Sequence, residues 1–388
     1  MIKRIWSWTC NQKKFFSKIE AIKESSLTNQ PIYFNTPTTY DSFSWFQEPT
    51  ESWESILKER AVELRENSNY INILFSGGCD STKMVETFVK NNIPIDEITC
   101  IRTMPPNNTN FDADYEVNSV AVPYLKKIKK HITKTKISMF DLTINDYKSY
   151  YNNQYWIEKG YSTPNELHFR MTHQAMNTFF KIYDNSNSTL LLGRDKPTVV
   201  YKDNKWYSYF LDVDIEPRTE VTLSNCVYFY VDSPKVHAKQ SHMLKQYFEK
   251  NFSVNHYETP KAINAIGQQH INYGCGRINS INDFFIEKVR NTWNFYDNKN
   301  RKILIHGKKD FLAINSIVKD KDFNSLIHNW RDGLDNIKIN FGTKWFNKGD
   351  PALGTIGVYS KFYCLNEPDI KMIDDLFPGG FESPRFKV

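Results

Sequence analysis

The fold is decided by the apolar run Tyr70-Ile71-Asn72-Ile73-Leu74-Phe75 and the loop that follows it, Ser76-Gly77-Gly78-Cys79-Asp80-Ser81-Thr82. The run is short and rich in β-forming residues, which predicts a buried strand. After the loop, apolar residues recur at helical spacing and predict a helix from Ser81 to Val89. A strand, a glycine loop and a helix therefore follow one another without a break.

Strands and helices continue to alternate on both sides of this unit. The further predicted strands are Ile98–Ile101, Ile137–Leu142 and Thr189–Gly193, and the predicted helices are Trp53–Glu66, Asp112–Lys130 and Leu167–Tyr183. Pro123 is expected to kink the second of these helices or to end a segment of it. The alternation predicts an α/β fold, with a parallel sheet and helices on both of its faces.

The pattern changes after about residue 200. Strands are predicted at Lys205–Leu211 and Val227–Val231, a helix at Lys235–Asn251, and mostly helical structure over 261–335. The glycine- and aromatic-rich segment Gly342–Cys364 predicts a hairpin or a loop cover. We therefore divide the chain into an N-terminal extension (1–52), a domain that contains the glycine loop (53–232) and a mainly helical C-terminal region for substrate or partner (233–388). The aromatic stretch Ser42–Phe46 in the extension is expected to pack against the domain.

Composition narrows the class of protein. The 388 residues are 40% hydrophobic and 24% charged, which is typical of a soluble globular chain. No secretory signal and no apolar run long enough to span a membrane are evident, so we expect a cytoplasmic protein without membrane contact. The six cysteines form no Cys-x-x-Cys pair, which argues against a zinc site or a disulfide framework. The net charge of +6 is mild.

The loop Ser76–Thr82 has the residues that a pyrophosphate site needs. Gly77 and Gly78 allow positive φ and close approach of the backbone to an anion, and the helix that follows directs its positive end to the same place. The hydroxyls of Ser76, Ser81 and Thr82 can add hydrogen bonds. A carboxylate at position 80 would repel phosphate unless it holds Mg²⁺, so Asp80 is the predicted metal ligand.

This loop resembles the PP-loop of the ATP pyrophosphatase superfamily, also called the adenine nucleotide alpha hydrolases. The chain is most similar to the synthetase domain of asparagine synthetase, over roughly residues 53–200. The helix Ile56–Arg65 resembles the helix before that family's loop, and Phe111–Val117 resembles its acidic helix start. The resemblance implies that ATP is split between its α and β phosphates, with pyrophosphate leaving.

A second loop of that family, rich in glycine and containing an aspartate, corresponds to Gly193-Arg194-Asp195-Lys196-Pro197. The resemblance implies that Gly193 approaches the nucleotide and that Asp195 is a second metal ligand. This chain has one glycine where the family has two and lacks the following glutamate. Arg194 and Lys196 can instead stabilise the charge of departing pyrophosphate, or they lie on a surface loop.

Other branches of the superfamily match less well. The tandem cysteines of the thiolating enzymes and the clustered cysteines of the deazaguanine enzymes are not found, and Cys364 stands in no reductase motif. The glutaminase of asparagine synthetase needs an N-terminal cysteine, whereas this chain starts Met1-Ile2. The resemblance therefore implies an amine or ammonia that comes from elsewhere.

Several cationic residues are secondary candidates. Arg102 follows a strand at the edge where a nucleotide crevice opens, and it either contacts the nucleotide or forms a structural ion pair. Lys235, His237 and Lys239 either bind an acidic substrate or lie on a helix surface. The lysine run 126–136 is either a solvated helix face or a patch for a phosphate-rich substrate. Tyr273–Arg277 is a glycine-bounded turn with no assigned chemistry.

The sequence therefore predicts an AMP-forming ligase that uses ATP and Mg²⁺ to adenylate a carboxylate or amide oxygen of an unidentified small molecule. Two alternatives remain. One is a superfamily member that modifies a nucleotide or a nucleic-acid base, supported by the lysine run alone. The other is a nucleotide-binding protein that has lost turnover, because the second loop, Gly193–Pro197, is altered.

Overall fold

A computed structural model describes residues 6–102, 117–141, 188–193, 198–210, 212, 226–251 and 358–378. Its strands are β1 (Ser7–Cys10), β2 (Lys13–Phe15), β3 (Ile32–Asn35), β4 (Tyr70–Leu74), β5 (Glu97–Arg102), β6 (Lys136–Asp141), β7 (Ser188–Leu192), β8 (Thr198–Lys202), β9 (Lys205–Tyr209), β10 (Cys226–Tyr228), β11 (Phe362–Cys364) and β12 (Ile370–Lys371). Its α-helices are α1 (Lys18–Thr28), α2 (Thr38–Asp41), α3 (Trp53–Glu66), α4 (Cys79–Lys90), α5 (Val122–Ile128), α6 (Pro234–Asn251) and α7 (Ile373–Leu376).

A five-stranded parallel sheet lies at the centre of the described chain, in the order β10-β7-β4-β5-β6. The central strand β4 pairs with β7 on one side and β5 on the other, with Leu74 opposite both Leu192 and Thr99. All pairings in this sheet are parallel. The predicted α/β fold with a parallel sheet is therefore confirmed. The strand bounds of this sheet lie within one residue of those predicted, except that β10 ends at Tyr228 and not at Val231.

The helices beside this sheet form for the reasons that their sequences indicate. In α3, Trp53, Ile56, Leu57, Ala61 and Leu64 recur every three or four residues and are buried. Ser52 caps this helix, because its side chain accepts a hydrogen bond from the Ser55 amide at 3.2 Å. Burying this stripe against the sheet stabilises the helix more than its intrinsic propensity does.

Pro123 lies where the helix that contains it changes from a π-helical turn to an α-helix. The residues before it, Val117–Ala121, form one π-helical turn, and α5 begins at Val122 with the proline in its first turn. Proline is favoured there because its missing N–H is not needed for an intrahelical bond. A short 3-10 turn, Lys129–His131, follows α5. The predicted helix start before residue 117 lies outside the described residues.

Two smaller antiparallel sheets flank the parallel sheet. One has the order β2-β1-β3 and comes from the N-terminal extension, and the other has the order β12-β11-β9-β8. The hairpin β1–β2 turns at Asn11 and Gln12, and the hairpin β8–β9 turns at Asp203 and Asn204, all four with positive φ. Two successive residues with positive φ give the turn twist that suits a tight hairpin.

The N-terminal extension is held against the rest of the chain by an aromatic cluster. Its members come from three distant segments and are Trp6, Trp8, Phe34, Tyr40, Trp45, Phe210 and Tyr363. Trp45 stacks on Tyr363 with ring centroids 4.6 Å apart, and the Trp45 carbonyl contacts Nε2 of His242 at 2.8 Å. The expected packing of Ser42–Phe46 against the domain is confirmed.

A buried ion pair stands beside this cluster. The Lys18 ammonium lies 2.8 Å from the Asp212 carboxylate, and both side chains are 1% exposed. The carboxylate also accepts hydrogen bonds from Nε1 of Trp8 at 2.9 Å and from the Val358 amide at 2.8 Å. Burial lowers the pKa of Lys18, against the attraction of Asp212.

The described C-terminal residues comprise α6, β11, β12 and α7, and β11 pairs with β9 of the preceding segment. The mostly helical region predicted over 261–335, the helix Leu167–Tyr183 and the turn Tyr273–Arg277 lie outside the described residues. No described helix is both long enough and apolar enough to cross a membrane.

Candidate functional site

The glycine loop lies at the carboxyl end of β4, in the middle of the parallel sheet. This is the edge where open α/β sheets bind their ligands. The loop turns at Gly77, which has φ +82°, and α4 starts at Cys79 with Gly78 as its N-cap. An alanine Cβ at position 77 would meet the Ala121 amide nitrogen at 2.7 Å. Both the conformation and the close contact therefore require glycine at this position.

The first turn of α4 differs from those of α1 and α3. Ser17 and Ser52 cap α1 and α3 through side-chain hydrogen bonds, whereas Gly78 offers α4 no side-chain cap. No N-cap side chain therefore bonds the first-turn amides of α4, and the helix dipole favours a negative group at this position. The start of α4 has the geometry of an anion site.

The loop hydroxyls are engaged within the loop itself. The Ser81 hydroxyl donates to the Gly78 carbonyl at 3.2 Å, and the Thr82 hydroxyl donates to the Gly77 carbonyl at 3.3 Å. Ser81 and Thr82 are buried, while Ser76 is half-buried and accepts a hydrogen bond from the Gly78 amide at 3.2 Å. Ser81 and Thr82 thus shape the loop, and Ser76 is the hydroxyl that lies nearer to solvent.

Gly193 brings the second predicted loop to the first. A Cβ built on Gly193 would lie 2.7 Å from both the amide nitrogen and the Cα of Ser81. This contact follows from the pairing of β7 with β4, because parallel neighbours end at the same edge of the sheet. The glycine allows the end of β7 to touch the first turn of α4. Residues 194–197, with Arg194, Asp195 and Lys196, lie outside the described residues.

Asp80 and Arg102 are the charged candidates that the structure describes. Asp80 is half-buried in the first turn of α4. Arg102 is the last residue of β5 and is half-buried. Since Thr99 of β5 lies opposite Leu74, Arg102 reaches the level of the loop at the neighbouring strand end. Among the described residues, no group of three or more His, Cys, Asp or Glu side chains is placed to hold a metal ion.

Tyr230 is a site residue that the sequence analysis missed. Its hydroxyl donates to the Asp80 backbone carbonyl at 2.8 Å, and its ring stacks on Trp53 with centroids 6.3 Å apart. Tyr230 comes two residues after the edge strand β10, which is parallel to β7. A residue so placed belongs to the same sheet edge, but this follows only once the strand order is known.

Three secondary candidates lie on α6, and their surroundings differ. Lys235 pairs with Glu51 at 2.6 Å and Glu59 at 2.7 Å, and Lys239 pairs with Glu48 at 2.6 Å. Both lysines are therefore held in ion pairs, Lys235 at 35% exposure and Lys239 at 13%. For His237 both interpretations are wrong, because the ring is 0% exposed and packs against Phe210. Burial lowers its pKa to about 3.

No protein-family model matches the chain, and neither the curated proteins nor the solved structures contain a match to it.

Proposed function

We propose that this chain is an ATP-dependent, AMP-forming ligase of the PP-loop type. A substrate oxygen, from a carboxylate or an amide, attacks the α-phosphorus of ATP, and pyrophosphate leaves. An amine or ammonia then displaces AMP from the adenylated substrate. The observation that carries the proposal is the start of α4, which follows Gly77 and Gly78 and has no side-chain cap. Gly193 lies against the backbone of Ser81 there, because β4 and β7 are parallel neighbours whose carboxyl ends lie at the same edge of the sheet.

The loop supports binding of pyrophosphate oxygens in particular. Gly77 turns the backbone so that α4 begins directly after the strand, and the first-turn amides are not occupied by a side-chain cap. Backbone donors and the helix dipole are fixed in place before the ligand binds. Such preorganised donors stabilise charge that grows on the leaving group as the bond to the α-phosphorus breaks.

The residues present also fit a magnesium ion that arrives with the nucleotide. Mg²⁺ is usually held by one or two carboxylates, several waters and the substrate phosphates, rather than by a cage of protein ligands. Asp80 is half-buried in the first turn of α4 and supplies one such carboxylate. The bound ion would offset the negative charge of the phosphates, and Asp195 is the proposed second ligand.

The cationic residues of the proposal have separate roles. Arg102 ends the strand next to the loop and is suited to contact the nucleotide from that side. Arg194 and Lys196 follow Gly193 by one and three positions, and Gly193 touches the backbone of Ser81. We assign these two residues to the pyrophosphate, where their charge would favour its departure.

The proposal is tested by measuring pyrophosphate release from ATP with Mg²⁺ and a pool of carboxylate and amide metabolites. We expect release that depends on the pool and that falls at least about 100-fold in Asp80→Ala, the range for loss of one electrostatic stabiliser. Glu66→Ala is the matched control, because Glu66 is exposed at the end of α3, before the amino end of β4. ATP binding without release from any pool member would refute the ligase and leave a nucleotide-binding protein.

A further inference from the structure

The lysine run after the π-helical turn forms a continuous exposed surface, which we call the basic surface. It comprises Lys126, Lys127, Lys129, Lys130, His131 and Lys134, all of them exposed. The apolar residues interleaved with them, Leu125, Ile128 and Ile132, are buried in the core. The segment is therefore amphipathic, and its outward side consists of positive and polar groups alone.

Most lysines elsewhere in the described chain pair with a carboxylate, Lys14, Lys58, Lys245 and Lys250 being the exceptions, whereas the lysines of the basic surface do not. Carboxylates pair with Lys13, Lys18, Lys23, Lys83, Lys90, Lys136, Lys202, Lys205, Lys235, Lys239, Lys361 and Lys371. Within the described residues, no ion pair is formed by Lys126, Lys127, Lys129, Lys130 or Lys134. Asp96 and Glu97, which begin the neighbouring strand, are already bonded to Arg65 and Lys136. Within the part of the chain that the structure describes, no carboxylate therefore neutralises the charge of this surface.

The helix dipole explains only part of this cluster. Cations in the last turn of a helix are favoured by roughly 0.3–1 kcal/mol each. Lys126 and Lys127 lie in the last turn of α5, but Lys134 lies beyond the 3-10 turn that follows. The dipole also gives no reason for the lack of intervening carboxylates.

The basic surface lies at the end of the sheet opposite to the glycine loop. The Thr135 hydroxyl donates to the Ile95 carbonyl at 2.8 Å, and the Lys136 amide donates to the Asp96 carbonyl at 2.9 Å. Ile95 and Asp96 precede β5, and Thr135 and Lys136 stand at the start of β6, so these bonds mark the amino ends of the strands. A strand of five or six residues separates the two ends by roughly 15–20 Å. A ligand on the basic surface therefore does not occupy the proposed ATP site.

The chemistry of this surface favours one class of partner. An amphipathic helix that binds membranes must expose its apolar side, but Leu125 and Ile128 are buried here. The centre of a protein interface is usually depleted in lysine and enriched in aromatic residues. A phosphate backbone requires only mobile point charges that release counterions, and this is what clustered exposed lysines provide.

We propose that the basic surface binds the phosphate backbone of a nucleic acid without reading its sequence. Lysine contacts to phosphates fix position and supply affinity, whereas sequence reading needs contacts to base edges. The site is separate from the glycine loop and does not depend on ATP. It offers a place where a nucleic acid docks while the opposite end of the sheet remains free.

The test is fluorescence anisotropy of a labelled 20-nucleotide single-stranded RNA of mixed sequence, titrated with the full chain between 50 and 200 mM KCl. With five phosphate contacts, the logarithm of the association constant should fall against the logarithm of salt with a slope of about −3.5. The variant K126Q/K129Q/K130Q should reduce this slope by about 2 and weaken binding roughly 100-fold at 0.1 M salt.

The matched control is K14Q/K58Q/K250Q, which removes the same charge from exposed lysines on α3, α6 and the β1–β2 hairpin. Its slope should equal that of the unaltered chain. An equal loss of RNA affinity in the two variants would show that only net charge matters and would overturn the proposal. Absence of binding at about 0.1 mM protein and 50 mM salt, where non-specific nucleic-acid binders associate, would also overturn it. The variant I137S/M139S alters two exposed apolar side chains on β6. If it lost more RNA affinity than K126Q/K129Q/K130Q, the proposal would be overturned in favour of a protein partner.

Discussion

The glycine loop and the aromatic cluster are organised in opposite ways. In the loop, residues at most five positions apart bond to one another, as Thr82 does to Gly77. In the aromatic cluster, the partners are far apart in sequence, and Nε1 of Trp6 donates to the Asp232 carboxylate, 226 positions away. The comparison teaches that the loop geometry is encoded locally, whereas the cluster exists only when the whole chain has folded. Stability and ligand binding should therefore respond to different residues.

The largest effect is expected from Lys18→Met, beside the aromatic cluster. The substitution leaves the Asp212 carboxylate buried without its cation, and breaking a buried pair in this way typically costs about 3–5 kcal/mol. Urea unfolding should show this loss, while the fraction that remains folded should bind ATP as before. Lys13→Met is the control, because the Lys13–Glu24 pair has a similar distance of 2.9 Å but Lys13 is 62% exposed, so stability should hardly change. A loss of ATP affinity in folded Lys18→Met would contradict the separation of the two regions.

Gly193→Ala tests the contact between the end of β7 and the first turn of α4. The new methyl group would lie 2.7 Å from the backbone of Ser81, so β7 and α4 must move apart, at a cost of up to about 3 kcal/mol. Because the start of α4 shifts, ATP affinity should fall together with stability. Glu66→Ala is the control, since Glu66 is exposed at the end of α3, before the amino end of β4. Isothermal calorimetry and urea unfolding measure both effects, and an unchanged ATP affinity would show that the contact does not position the loop.

The sequence predicted the locally encoded loop, but of the aromatic cluster it predicted only that Ser42–Phe46 packs against the domain. The strand before Ser76, the loop and the helix after it follow from apolar runs and glycine positions that a short window contains. The hairpin β1–β2 was not predicted, because Asn11-Gln12 lacks the glycine that marks most such turns. The aromatic residues Trp6 and Trp45 gave no indication of their partners, since these are contributed by residues near 210 and 363.

The contacts of the candidate site also fall into those that the sequence predicted and those that it missed. The meeting of Gly193 with the first loop was expected from the resemblance to a known pair of loops. The contact of Gly77 with Ala121 and the hydrogen bond from Tyr230 were missed, because each depends on how a segment outside the motif packs. Long-range packing of this kind has no signature at fixed spacing from the loop.

His237 tests the aromatic cluster through pH. Its ring packs against Phe210 at 4.3 Å and Trp45 at 6.1 Å, and burial lowers its pKa from 6.5 to about 3. The unfolded chain therefore binds a proton below about pH 6.5 that the folded chain does not, so stability falls as pH falls. Between pH 7 and 5 the loss should be about 2 kcal/mol. His237→Phe keeps an aromatic ring without a titratable nitrogen and should remove most of this loss in urea unfolding. An unaltered pH dependence in that variant would assign the effect to other groups.

Tyr230→Phe should give the smallest effect, and it tests a side-chain hydrogen bond that joins the loop to a distant segment. The variant keeps the ring that stacks on Trp53 but removes the donor to the Asp80 carbonyl, a bond worth about 1 kcal/mol. Because that carbonyl belongs to the first turn of α4, hydrogen exchange at the amides of residues 79–82 should accelerate by roughly the corresponding fivefold factor. Tyr201→Phe is the control, since its hydroxyl contacts Asn204 near the exposed β8–β9 turn and lies on another sheet. Faster exchange confined to the loop, with little change in the urea midpoint, would make Tyr230 a positioning residue. Equal acceleration of exchange along α3 and β10 would instead show that Tyr230 contributes to the general packing. The glycine loop and the aromatic cluster would then be less independent than their contacts imply.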